Sequence, residues 1–250
     1  MQETMSIWIM PLLAGPFVGS FIGVLVLRLP AGDAVVFGRS ACRYCSRQLG
    51  ARDLAPLLSW VCNRGRCRYC GERIGLFYPL IELAALGVAV WSVSILSGWL
   101  LWATCLLGWL LLALAVMDWR AFVLSDALTL SLVPTGLAVA HLVEPTVLAE
   151  HLIGALAGYL AFAGLASAYR YVRGRDGLGM GDAKLLAGAG AWVSWSGLPS
   201  VVLLAALCAL SAVLAKSLAG GSISAMDRVP FGSYLALGTW LVWLYGPVSL

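Results

Sequence analysis

The sequence predicts an all-α protein that crosses a membrane about eight times and carries one small cytoplasmic domain rich in cysteine. Three observations predict it. Of 250 residues, 61% are hydrophobic and 11% charged, with a mean hydropathy of +0.92, outside the range of soluble domains. Apolar runs recur along the chain, several of them as long as the roughly 18 or more residues a helix needs to span a bilayer. One long polar stretch, residues 29–75, interrupts them and holds five of the seven cysteines.

The first run, 5–27, has Glu3 and no basic residue before it, with Arg28 after it. That polarity is opposite to a signal peptide, so the run reads as a retained span with its N-terminus outside. Its Gly15, Gly19, Ser20 and Gly23 suit close helix packing. Further runs fall at 76–96, 99–117, 127–143, 147–168, 182–196, 199–217 and 230–248. Nine of the sixteen basic residues lie between Arg28 and Arg73, which puts that segment in the cytoplasm. Alternation then places 118–126, 169–181 and 218–229 inside as well. The other basic residues, Arg120, Arg170, Arg173, Arg175, Lys184, Lys216 and Arg228, all fall on those inner loops and helix ends, whereas the outer turns carry Glu144 and Glu150. Both termini are expected outside. The expected division is 1–28, a first span; 29–75, a cytoplasmic tetracysteine domain; and 76–250, a membrane-embedded catalytic domain.

Cys42-x2-Cys45 and Cys67-x2-Cys70 are separated by 21 residues. Each short turn offers two sulfurs to one tetrahedral ion, so Cys42, Cys45, Cys67 and Cys70 are the expected Zn2+ ligands, with Cys62 a fifth thiol able to replace one of them. In the cytoplasm a disulfide is the weaker explanation. The bland reading is that zinc staples a domain with too little core of its own. Cys105 and Cys208 lie inside apolar runs and read as packing residues. His141 and His151, near outer helix ends, read as interfacial. Trp99, Trp192, Trp195 and Trp243 read as membrane-edge anchors.

Two acids carry the chemistry. Asp182, in Gly177-Leu178-Gly179-Met180-Gly181-Asp182-Ala183-Lys184, begins a span, and Asp118 closes another, so the topology puts both at the inner boundary. Carboxylates at a membrane edge are costly, and two that meet share a proton, which equips them for aspartyl proteolysis. For Asp182 alone, helix capping is the plain alternative. The three glycines are expected to leave room beside it for a helix or an extended peptide. Ser125-Asp126 reads as a helix cap. Lys184 either meets lipid phosphate, the preferred reading, or biases the acid pair towards ionisation. Glu82, inside the second span, reads as a substrate-recognition residue or a partner of a loop arginine.

These motifs together resemble the type IV prepilin leader peptidases, inner-membrane aspartyl proteases that mature type IV pilins and the pseudopilins of type II secretion. The resemblance covers most of the chain. It rests on Gly19-Ser20-Phe21 with Arg28-Leu29-Pro30, on the paired Cys-x2-Cys turns flanking Pro56-Leu57-Leu58-Ser59-Trp60 and Arg64-Gly65-Arg66-Cys67, on Tyr78-Pro79-Leu80-Ile81-Glu82, and on Gly179-Met180-Gly181-Asp182-Ala183-Lys184. It implies that Asp118 and Asp182, 64 positions apart, are the catalytic pair. It further implies prepilin or pseudopilin precursors as substrates, a bacterial inner-membrane location among lipid, no nucleic-acid partner, and S-adenosylmethionine for methylating the new N-terminus. Glu82 is a candidate wall of that cofactor's pocket.

Two departures bear on this. Leu124-Ser125-Asp126 stands where the family usually has Leu-Pro-Asp, and Gly23 stands where asparagine is common. The second touches the N-terminal half, to which methylation is linked. Two other functions compete with the protease. An ion- or proton-coupled transporter would place acids at mid-membrane on broken helices. A zinc-stabilised assembly component would use the acids as caps alone.

Overall fold

The computed structural model describes residues 2–33, 35, 40–174, 177, 179–220 and 229–248, with the backbone alone for 2–7. Arg39, Arg175 and Arg228, three of the basic residues expected inside, lie outside the described residues, as does Leu178. The described residues form helices and no strand. They divide into two compact units, Met1–Ala113 and Leu114–Leu250.

In the first unit α1 (Gln2–Arg28) packs along α3 (Phe77–Ile95). Glycine makes that approach possible. A methyl group placed on Gly19 would lie 2.6 Å from the Glu82 Cα, and one on Gly15 3.0 Å from the Leu86 Cα, so the helices meet backbone to backbone. At Gly23 the neighbour is the Tyr78 ring, 3.0 Å from such a methyl, so an asparagine there would displace the tyrosine. The start of α4 (Trp99–Ala121) adds Trp109, whose Nε1 donates to the Ala85 carbonyl at 3.0 Å. Between α1 and α3 the polar stretch holds a 3-10 turn, Ala51–Leu54, and the short helix α2 (Leu58–Cys62). Cys105 is fully buried, as a packing residue should be.

The second unit holds the end of α4, then α5 (Asp126–Val143), α6 (Leu148–Arg173), α7 (Met180–Leu218) and α8 (Phe231–Tyr245). α7 runs through two of the expected apolar segments, 182–196 and 199–217, and is interrupted at Ser194, where φ is 58° and ψ −179°. Its contacts with α8 show what the break does. Along the first half, Asp182 lies beside Gly232 and Trp192 beside Trp243; along the second, Gly197 meets Val242, and Val201 and Ala205 meet Gly238. The partner residues on α8 therefore rise and then fall, so the chain turns back at Ser194. All eight expected runs are helical, but two are joined across this turn. Among the described residues, six helices are long and apolar enough to span a membrane, and α8, at 15 residues, is shorter.

Small residues again set the packing. Gly154 and Gly158 on α6 press on Gly190 and Leu186, and Gly188 on Leu132 of α5. Trp192 corrects the anchoring expectation: it is 1% exposed, its Nε1 donates to the Leu132 carbonyl at 3.0 Å, and its ring meets Trp243 edge-on at 5.0 Å. Gly136 on α5 leaves the room that the indole fills, since a methyl there would lie 2.6 Å from the ring. Trp99 and Trp195 are half-exposed, as anchors are. His151 sets Nδ1 against the Ala191 carbonyl at 3.0 Å.

Candidate functional site

Three helix ends build the acid site. Asp118 sits in the last turn of α4, Asp182 in the first turn of α7, and Gly232-Ser233 in the first turn of α8. The two acids, distant in sequence, are brought together. A methyl group on Gly232 would lie 3.0 Å from Asp182 Oδ1 and 3.1 Å from Asp118 Oδ2, so these oxygens are no farther apart than the sum of those distances. Asp118 is 6% exposed. Its Oδ2 accepts the Ser233 backbone N–H at 2.8 Å and lies 3.2 Å from the Ser233 hydroxyl. Asp182 stands at the third position of its helix, with Oδ2 turned back beside Gly179 and Oδ1 towards Gly232 and Asp118. Leu124, in the turn before α5, fills the angle between Gly181 and Gly232.

The glycines before Asp182 divide. Gly177 lies against the Tyr169 ring and Gly181 against Leu124, both as packing contacts, and only Gly179 opens beside the acid, where a methyl would meet Asp182 Oδ2 at 3.4 Å. Lys184 also differs from expectation. Its Nζ lies 2.6 Å from Asp126 Oδ1, a protein partner in place of lipid phosphate. Ser125 occupies the cap position of α5 without a side-chain cap bond, and Asp126 joins α5 to α7 through that ion pair. Sequence reasoning missed Gly232 and Ser233. A Gly-Ser pair after a proline is an ordinary helix start, and nothing local marks its neighbours.

The cysteine region is built by repetition. In each turn the first cysteine's N–H bonds the carbonyl five residues on, Cys42 to Arg47 and Cys67 to Glu72, and its carbonyl accepts the N–H four residues on, from Ser46 and from Gly71. A bridge closes each, Ala41 with Gln48 and Arg66 with Arg73. Tyr69 ties the two turns together, stacking under Arg47 at 4.4 Å and donating its hydroxyl to Asp53 at 2.9 Å. The sulfurs of Cys42, Cys45, Cys67 and Cys70 all lie within 4.8 Å of one another, with Cys42 and Cys70 3.9 Å apart. Zn–S bonds of about 2.3 Å at tetrahedral angles put sulfurs about 3.8 Å apart, so the donor set fits that ion. Cys62 stands outside the cluster.

Charge supports the same reading. The Cys45 and Tyr44 N–H groups bring the Cys42 thiol down to about 6. Cys70 is pushed up to about 12, since desolvation and the three other sulfurs outweigh the Glu72 N–H that favours its thiolate. One thiol ionises readily and the last resists, a conflict that a bound dication removes.

Glu82, 5% exposed, accepts the Leu57 N–H at 2.8 Å. It therefore anchors the loop at Leu57, a residue with φ of 59° and ψ of −51°. Backbone strain of this kind costs about 1–3 kcal/mol and persists where neighbours hold it.

Comparison with known proteins agrees with this layout. A sequence model of the bacterial peptidase A24 N-terminal domain matches residues 13–96, and one of the type IV leader peptidase family matches 105–214. A prepilin leader peptidase/N-methyltransferase of Aeromonas hydrophila is 40% identical over 210 residues, 83% of this chain and 72% of that protein. Proteins of the same name from Dickeya chrysanthemi and Burkholderia pseudomallei are each 36% identical, covering 94% and 90% of this chain and 89% and 81% of their own lengths. No solved structure matches. A multi-pass helical chain whose two halves match the two domains of one peptidase family, and whose relatives align over most of their length, belongs to the type IV leader peptidase family.

Proposed function

We propose that this protease cleaves the basic leader from type IV prepilins or type II secretion pseudopilins at the cytoplasmic face of the bacterial inner membrane, with Asp118 and Asp182 as its catalytic pair. One observation carries the reading: both carboxylates face the same small gap, beside Gly232. Two carboxyl groups that close share one proton, so one takes a proton from water while the other protonates the scissile carbonyl. Residues 1–28 serve as a first span, 29–75 as the cytoplasmic metal domain and 76–250 as the membrane-embedded peptidase, with both termini outside and lipid around the spans.

Cys42, Cys45, Cys67 and Cys70 would hold Zn2+ as a structural staple, lending a small domain stability that its core does not supply. Methylation of the new N-terminus from S-adenosylmethionine follows from the relatives' name. Glu82 is already engaged by the Leu57 N–H, so it is not assigned to that cofactor. The deciding experiment uses purified protein with a prepilin precursor, analysed by mass spectrometry with and without S-adenosylmethionine. Loss of the leader is expected in both, with a further methyl group only when the cofactor is added. An intact precursor would overturn the peptidase reading, and an unmodified amine after complete cleavage would remove the methyltransferase alone.

A further inference from the structure

Hydrogen-bond donors are distributed unevenly between the two acids. α8 begins at Phe231 after its cap, Pro230, and the first N–H groups of a helix lack the carbonyl partners that later ones find. Phe231 N–H bonds the Val229 carbonyl at 2.8 Å, and those that follow turn to Asp118. Ser233 N–H reaches Oδ2 at 2.8 Å while touching the Pro230 carbonyl at 3.2 Å, and the Gly232 N–H is directed at the same carboxylate. The Ser233 hydroxyl has one proton and two acceptors, the Ala115 carbonyl at 2.8 Å and Asp118 Oδ2 at 3.2 Å. On the Asp182 side the Gly179 N–H is the backbone group that favours the charged carboxylate. Gly232 itself faces both acids, and any side chain on it would occupy the space between them.

We propose that Gly232 and Ser233 give the acid pair its direction: Ser233 holds Asp118 as the carboxylate that takes the proton of water, the shared proton rests on Asp182, and Gly232 keeps the water's place open. The proposal rests on the assignment of Asp118 and Asp182 as the catalytic pair. Donors favour the charged form of the carboxyl they bind, and they gather on one partner of this pair. In the forward step the water oxygen bonds the scissile carbonyl carbon, its proton passes to Asp118, and the Asp182 proton passes to the carbonyl oxygen. On collapse the C–N bond breaks, Asp118 returns its proton to the leaving amine, and a hydroxyl of the diol gives a proton back to Asp182. Ser233 suits both states of Asp118. Its hydroxyl proton points to Oδ2 while that group is charged and swings to the Ala115 carbonyl once Asp118 is protonated, leaving a lone pair to accept. Ser233 is thus a positioning residue, acting through Asp118.

The test measures kcat and KM for prepilin cleavage by the purified full-length protein as Ser233→Ala, Ser233→Thr and Gly232→Ala, beside Asp118→Asn and Asp182→Asn. Loss of a hydrogen bond to a charged group predicts a fall in kcat of roughly tenfold or more for Ser233→Ala, with KM nearly unchanged. Its kcat profile against pH has a displaced acid limb, and Ser233→Thr, which keeps the hydroxyl, recovers both rate and profile. Gly232→Ala should lose roughly a hundredfold or more in kcat, because a methyl fills the water's place between the general base and acid. Full kcat in Ser233→Ala, an unmoved acid limb, or a threonine variant as slow as alanine overturns the proposal. If Gly232→Ala fails to fold, the Ser233 pair decides. Normal cleavage by either asparagine variant would instead refute the catalytic pair itself, whereas inactive asparagine variants beside a fully active Ser233→Ala protein would refute only the roles of Gly232 and Ser233.

Discussion

The cysteine cluster and the acid pair are opposite ways of assembling a site. Four sulfurs come from residues 42–70, each pair fixed by its own tight turn, and the second turn repeats the hydrogen bonds of the first. The acid site draws on residues 118, 182 and 232–233, the ends of three helices that are distant from one another in sequence. Proximity in the first case is set by a few dihedral angles. In the second it is set by whole-helix packing, through glycines that let α5, α6, α7 and α8 close on one another. A change at the acid site should therefore damage chemistry with the fold intact, and a change at the cysteine site should damage folding first.

The largest expected effect is at the acids. Asp118→Asn and Asp182→Asn should each lower cleavage by roughly 10²–10⁴-fold, the usual worth of a general acid or base, while the protein still inserts and folds. Asp126→Asn is the internal control. Its carboxylate is mostly exposed and paired with Lys184, and exposed ion pairs contribute little, so cleavage should stay near normal. Parallel assays of the three variants in detergent sharpen the contrast, and a dead Asp126→Asn protein would break it.

Next comes the metal. About one zinc per chain is expected, absent from the Cys42→Ser, Cys67→Ser double variant and removed by chelators as the first unit loosens. Cleavage should survive in part, since Asp118, Asp182 and Ser233 all belong to the second unit. Metal analysis beside the cleavage assay reads both. Abolished cleavage in a chelated protein that keeps its helices would show that the sites are coupled.

What is legible in the sequence follows from the same contrast. The helices, the four clustered cysteines and the two acids are written in composition, in spacing and in charge on loops, which act over short ranges. Trp192 reads from sequence as an edge anchor and is core, because only the packed α5 and α8 reveal the gap it fills. Lys184 reads as a lipid contact and pairs with Asp126, 58 residues away. Gly232 and Ser233 carry no local mark at all. The turn inside α7 at Ser194 falls within what reads as a span, and only the order of contacts with α8 exposes it.

Glu82 tests the boundary between the two kinds of site, being a buried membrane acid that holds a loop. Glu82→Ala leaves the Leu57 N–H without its acceptor beside strained backbone, and should cost about 1–3 kcal/mol of stability in the first unit. Glu82→Gln keeps an acceptor oxygen and should cost less. Thermal unfolding of the zinc-loaded protein separates them. Equal losses would mean that the charge, not the acceptor, holds Leu57.

The smallest expected effect lies inside the cysteine repeat itself. Ser46 and Gly71 occupy equivalent places, with φ of 56° and 72°, in the left-handed region where a Cβ is strained. A methyl on Gly71 would touch nothing within 4 Å, so Gly71→Ala isolates the backbone term and should cost about 1 kcal/mol. Ser46→Gly removes the same strain but frees the unfolded chain, and the two nearly cancel, leaving a change under about 1 kcal/mol. Competition of each full-length variant with a zinc chelator reads these differences as shifts in metal retention, with Gly71→Ala weakest and Ser46→Gly near the parent. A neutral Gly71→Ala would mean that the metal, and not the turn's own conformation, dictates the backbone at both knuckles, so that the repeat is imposed by the ion instead of being encoded residue by residue.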